Sequence, residues 1–124
     1  MSNIKNTKTT TTNINNLVGE QLKANRRIPG WAVRSSGKAH KLLKAFCLAE
    51  GRDGRASIST MRLLCSDNAM HPELYIGNFN HWLSDLKTEA GDSSGKVFEQ
   101  VDDDHVVIWE PVRQKFNEYK QQFA

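Results

Sequence analysis

The stretch NFNHWLSDLKTEAG, residues 78–91, constrains this chain more than any other. Phe79, Trp82, Leu83, Leu86 and Ala90 recur at i, i+3, i+4, i+7 and i+11, the spacing of a single helical face. Each residue turns a helix by about 100°, so His81, Ser84 and Thr88 fall opposite that stripe, with Asn80 and Asp85 on its flanks. A merely solvated face tends to carry Lys and Glu. This one carries small polar groups and an imidazole, which suits it to touch something. Gly91 is the expected stop.

Apolar segments rich in Val, Phe, Ile and Trp follow. KVFEQV and HVVIWE read as the two strands of a hairpin with Asp102, Asp103 and Asp104 near its tip, and Pro111 closes the second strand. Upstream, SGKAHKLLKAFCLAEG places Ala39, Leu42, Leu43, Phe46 and Ala49 on one helical stripe, with Ser36 as the cap and Gly51 as the end. RDG at 52–54 predicts a turn, ASIS at 56–59 a short extended piece, and Thr60 to Cys65 a short helix with Met61 and Leu64 inward. SDNAMHP at 66–72 is loop-like. Pro72 suits the first turn of a further helix, so PELYIG forms its own turn or lengthens the next helix.

The ends read differently. Residues 1–13, with the run TKTTTTN, bury too little to repay ordering and predict a disordered tail. Residues 14–30 predict an N-terminal helix and linker: Ile14, Leu17, Val18 and Leu22 keep helical spacing, and IPGW at 28–31 breaks it. Residues 111–124 predict a C-terminal helix with Val112, Phe116, Tyr119 and Phe123 on one face. That face serves dimerisation, or else folds back on its own domain.

With 124 residues the chain holds one ordinary domain. No apolar run approaches the roughly 18 residues that span a bilayer, and the first residues lack an apolar signal core, so a cytoplasmic location is expected. Cys47 and Cys65 sit in apolar segments without a C-x-x-C pattern and read as buried thiols in a reducing compartment. Charge is segregated. Residues 1–66 hold 12 Lys/Arg against 3 Asp/Glu, and residues 67–124 hold 5 against 11. The basic half is a candidate polyanion footprint unless the two signs mix in space.

The order helix, extended piece, helix, helix, hairpin resembles the winged helix-turn-helix superfamily, in the manner of bacterial and phage regulators. The resemblance covers about residues 37–110, within a domain placed at 31–110. Its most telling portion is NFNHWLSDLKTEAG followed by GKVFEQV and HVVIWE, where Phe79, Leu83, Leu86 and Gly91 match a recognition-helix outline with one extra residue before the glycine. The implied fold is mostly α with a small β-hairpin, flanked by N- and C-terminal helices. The implied function is sequence-specific binding of double-stranded DNA, most simply by a small dimeric transcriptional regulator. A helix fits the major groove, where Asn, Ser, Thr and His can reach base edges while Lys and Arg grip phosphates. Lys38, Lys41, Lys44, Arg52, Arg55 and Arg62 are the supply of phosphate contacts, and Arg26, Arg27 and Arg34 precede them. By resemblance, Arg62, Asn78, Asn80, His81, Ser84, Lys87 and Thr88 face DNA.

Three features depart from that pattern. Segment 66–77 exceeds the tight turn expected between the motif helices. Asp85 lies close to the proposed DNA face. The wing tip carries Asp102, Asp103 and Asp104 where wings that touch DNA usually present Arg or Lys. The acidic tip therefore supports a competing reading, a winged-helix assembly module whose hairpin meets a basic protein partner. A replication or partition accessory of a mobile element is a third reading.

Catalytic chemistry finds no motif. His40, His71, His81 and His105 have no paired metal spacing, the DDDH cluster lacks the remaining ligands of a calcium loop, and no phosphate-cradling glycine loop or nucleophile elbow occurs. The expectation is a non-enzyme without cofactor or metal.

Overall fold

The structure is a computed structural model that describes residues 23–88 and 91–124. The tail expected at 1–13, the residues Ile14, Leu17, Val18 and Leu22 of the first helix, and Ala90 lie outside them. Helix α1 is described over 23–33. There follow α2 (Lys38–Asp53), β1 (Ala56–Ser57), α3 (Ile58–Ser66), α4 (Phe79–Lys87), β2 (Phe98–Gln100), β3 (His105–Ile108), a 3₁₀ turn at Glu110–Val112, and α5 (Arg113–Phe123). The chain is thus mostly helical with a small three-stranded antiparallel sheet.

The first correction concerns IPGW. Helix α1 runs through Pro29 and Gly30 and ends at residue 33. Proline removes one hydrogen bond and glycine raises the entropy cost. Ala24, Ile28 and Ala32, spaced by four, are nevertheless all buried in the core, and that burial outweighs the local preference.

Helix α2 is the central element, burying His40, Leu42, Leu43, Ala45, Phe46, Cys47 and Ala49. Its N-cap is Gly37 rather than Ser36, and no side chain caps it. It continues past Gly51 to Asp53. The stop is Gly54, whose φ of 80° a side chain would resist and whose N–H reaches Glu50 O at 2.8 Å.

The expected two-stranded hairpin acquires a third strand. The order is β1-β3-β2, with Ala56 opposite Val106 and Phe98 opposite Ile108. Val106 and Ile108 alternate inward along β3. Ile58 and Ser59, expected to be extended, instead open α3 behind the Ser57 cap, whose hydroxyl accepts from the Thr60 N–H. Met61 and Cys65 are buried there, with Leu64 packed at the core edge. Segment 67–78 makes turns instead of a helix. Leu74 and Ile76 drop into the core, and the Ile76 N–H bonds Cys65 O at 2.9 Å.

The C-terminal face is corrected most sharply. Val112, Phe116 and Phe123 are at most 1% exposed within the single chain, with Tyr119 packed against the same core. The Phe46 ring lies 5.6 Å from Phe98 and 6.1 Å from Phe116, and Phe123 lies 5.8 Å from Phe116 and 5.1 Å from the His40 ring. These residues complete the core of their own domain, so they are not a dimerisation face. α1 and α5 both share the cluster that fills the 31–110 segment.

Candidate nucleic-acid interface

Helix α4 begins at Asn78, whose φ of 66° is the only positive value among the described non-glycine residues. Asparagine tolerates that conformation better than most side chains. The Asn78 carbonyl accepts the first bonds of the helix, from the His81 and Trp82 N–H groups. Phe79, Leu83 and Leu86 anchor the helix to the core. The expected face survives: Asn80, His81 and Ser84 are exposed along its outer side. The helix is shorter than its apolar stripe suggested. It ends at Lys87, and Thr88 is the C-cap, its hydroxyl donating to Ser84 O at 2.5 Å.

Cations from neighbouring elements adjoin this helix. Arg62 of α3 donates to Asn80 Oδ1 through Nε at 3.3 Å and Nη2 at 3.1 Å, and its guanidinium lies 5.5 Å from the Phe79 ring centre. Lys38, at the start of α2, places Nζ 5.5 Å from the Trp82 ring centre. Trp82 meets the His81 ring edge-on at 5.1 Å. Lys87 extends to Gln100 Oε1 of β2. Asn78, Asn80, His81, Ser84, Lys87, Thr88, Arg62 and Lys38 are therefore gathered on or against one helix.

The other expected contacts are not. Arg55 pairs with Asp102 at 2.8 Å, Arg52 lies 3.9 Å from Asp53 at the far end of α2, and Lys41 donates to Tyr75 O at 2.9 Å. Arg52, Arg55 and Arg62 do not form one cationic set, because β1 and the turn before it direct Arg55 to the hairpin. Residues of α1 are nearer. Lys23 donates to Ser93 O at 3.1 Å and Gly91 O at 3.3 Å, and Arg27 donates to Ser94 O at 2.8 Å, in the loop beyond α4. Arg27 belongs to the basic supply expected from the sequence, and Lys23, four residues earlier, shares its side of α1. Asp85 is not a bare carboxylate on the flank of α4: its Oδ1 accepts the Ser94 N–H at 3.1 Å and fixes that loop.

The hairpin tip is less exposed chemically than three adjacent aspartates imply. Asp102 accepts from the backbone N–H of Asp104, from the His105 ring and from Arg55, and these bonds hold its carboxyl well below the usual carboxylate range. Asp104 accepts from the N–H and hydroxyl of Ser59 at 3.1 and 2.8 Å. Gln100 Nε2 donates to the carbonyls of Asp102 and Asp103. The tip is thus tied to the start of α3.

Both thiols are buried and free, and burial pushes Cys47 up to about 11 and Cys65 to about 12. Among the described residues no group of His, Cys, Asp and Glu is arranged to hold a metal ion, and no helix is long and apolar enough to cross a membrane. Comparison of the chain with family models, with curated proteins and with solved structures gives no match.

Proposed function

We propose that this protein binds double-stranded DNA in a sequence-specific manner, as a small transcriptional regulator of the winged helix-turn-helix kind, with α3 and α4 as the motif helices. The observation that carries the reading is the outer face of α4. It offers Asn80, His81 and Ser84 to a groove between Arg62 on one neighbouring helix and Lys38 on another. Polar base-reading groups flanked by cations match the division of labour in DNA recognition, where phosphate contacts set register and base contacts set sequence. The order α2, β1, α3, α4, β2, β3, with β1 paired to β3, supports the same reading.

The competing assembly role drew on free carboxylates at the hairpin tip. Asp102 and Asp104 already have partners in their own chain, so that role loses its main support.

Selection of bound fragments from a random duplex pool, followed by fluorescence anisotropy across a salt series, tests the proposal. The expected result is an enriched motif and an affinity that falls steeply as salt rises, because each neutralised phosphate releases counterions. No enrichment together with a flat salt response would reject it.

A further inference from the structure

A cleft of about 320 Å³ lies between the end of α1, the start of α2 and the flank of α4. Its lining includes Trp31, Arg34, Lys38, Trp82, Asp85 and Ser94. The volume sits at the lower end of the roughly 300–1,000 Å³ typical of small-molecule sites. We infer that this cleft binds a small planar aromatic anion that carries a ring N–H donor.

Three features of the lining point to that class. Trp31 and Trp82 are half-buried, each packed against the core while also lining the cleft, and such indoles offer flat surfaces for stacking. Arg34 and Lys38 are exposed and form no salt bridge among the described residues; Lys38 Nζ already lies 5.5 Å from the Trp82 ring centre, so an anionic group that meets these charges is held beside that indole. Asp85 uses Oδ1 for the Ser94 N–H, but its Oδ2 is buried and has no hydrogen-bond partner. A buried carboxylate oxygen without a donor is costly, and a ligand N–H would satisfy it once a small turn of the Asp85 side chain brings Oδ2 from its shielded position to the cleft.

The three features also discriminate. An organic cation would be repelled by Arg34 and Lys38. An aliphatic acid would use those charges and leave the indoles unstacked. A duplex phosphate backbone would meet Asp85 with no proton to offer. The inference does not depend on DNA binding, since the cleft lies on the flank of α4 and its test contains no DNA.

Two chemically related sources fit: an aromatic carboxylate and a purine nucleotide. The experiment uses the full chain with ¹⁵N-labelled indoles, whose three Trp N–H signals report Trp31, Trp82 and Trp109 separately. Indole-3-acetate and guanosine 5′-monophosphate are titrated in parallel. Cyclohexaneacetate supplies a charge without an aromatic ring, and indole supplies the ring without a charge. The expected result is a saturable shift of Trp31 and Trp82 with one of the two planar anions, while buried Trp109 stays still; the active probe identifies the source. Arg34→Ala, an exposed position, should weaken that binding at least tenfold with the spectrum otherwise preserved. The inference is overturned if neither planar anion shifts these signals. It is equally overturned if cyclohexaneacetate or indole binds as well, or if Arg34→Ala leaves the affinity unchanged.

Discussion

The carboxylate of Asp104 caps a helix that begins 46 residues earlier in the chain: its Oδ1 accepts from both the backbone N–H and the hydroxyl of Ser59. The Asp104 carbonyl also takes the Ile58 N–H at 2.5 Å. The hairpin tip and α3 are therefore one mechanical unit. Asp104→Ala should cost about 1 kcal/mol, as other lost N-terminal caps do. Asp103→Ala, at an exposed neighbour, should cost almost nothing. Urea unfolding of the two variants checks the contrast, and equal losses would refute the capping role.

Asp102 makes the fold sensitive to acid. Its carboxyl is held below its ordinary value of 3.8, first by the Asp104 N–H, then by His105, with Arg55 contributing less. A depressed folded pKa means that the unfolded chain takes up the proton first as pH falls. The contribution is fully present above about 3.8 and is lost as pH falls towards the folded value. In melting curves recorded from pH 6 to pH 2, Asp102→Asn should be less stable than the parent at pH 6. The gap between the two curves should narrow towards the acid end. A constant gap across that range would remove Asp102 from the acid response.

Phe116→Asp combined with Phe123→Asp should abolish folding. Both rings are buried against Phe46 and His40, and a charge has no partner there. The milder Phe116→Ala should cost about 3–5 kcal/mol. Circular dichroism beside sedimentation reads the outcome. A folded monomer from the double variant would mean that α5 lies on the surface after all.

Gly95→Ala should destabilise the domain by about 1–3 kcal/mol, because its backbone conformation belongs almost entirely to glycine. The φ is 127°, and an added Cβ would stand 3.2 Å from both the N and Cα of Ala24 on α1. That contact is with backbone, which cannot swing aside. Thermal melting tests it; an unchanged midpoint would show that α1 yields at little cost.

Substitutions around α4 should separate two kinds of DNA contact. Lys38→Gln should weaken binding to selected and random duplexes alike and flatten the salt dependence. His81→Ala should instead erode preference for the selected site, by about 1–3 kcal/mol if the imidazole reaches a base edge. Arg55→Gln should leave DNA affinity nearly intact, because Arg55 is engaged with Asp102. Competition anisotropy with matched and scrambled duplexes distinguishes these outcomes.

Local pattern carried a good deal of this architecture. The stripe Phe79, Leu83, Leu86 does bury one side of α4 and leaves Asn80, His81 and Ser84 outside. The stripe on α2 and the alternation of Val106 and Ile108 also emerge where periodicity put them. Periodicity succeeds because the contrast between apolar and polar residues is itself the force that orients each element.

What sequence alone determined, then, is which side of each main element faces inward. What the tertiary structure decided is where isolated signals yield to long-range burial and pairing. Pro29 and Gly30 read as a break, yet Ala24, Ile28 and Ala32 are drawn into a core whose other walls lie far along the chain. Phe116 and Phe123 read equally as an association face, until α2 supplied the rings and walls that bury them. Arg55 and Arg62 read as one basic set, until β1 paired with β3 and brought Asp102 to the first, while α3 set the second against Asn80. Such outcomes depend on partners tens of residues away. Hydrophobic attraction has no sequence direction, so spacing within a segment can orient a face but cannot say what will meet it.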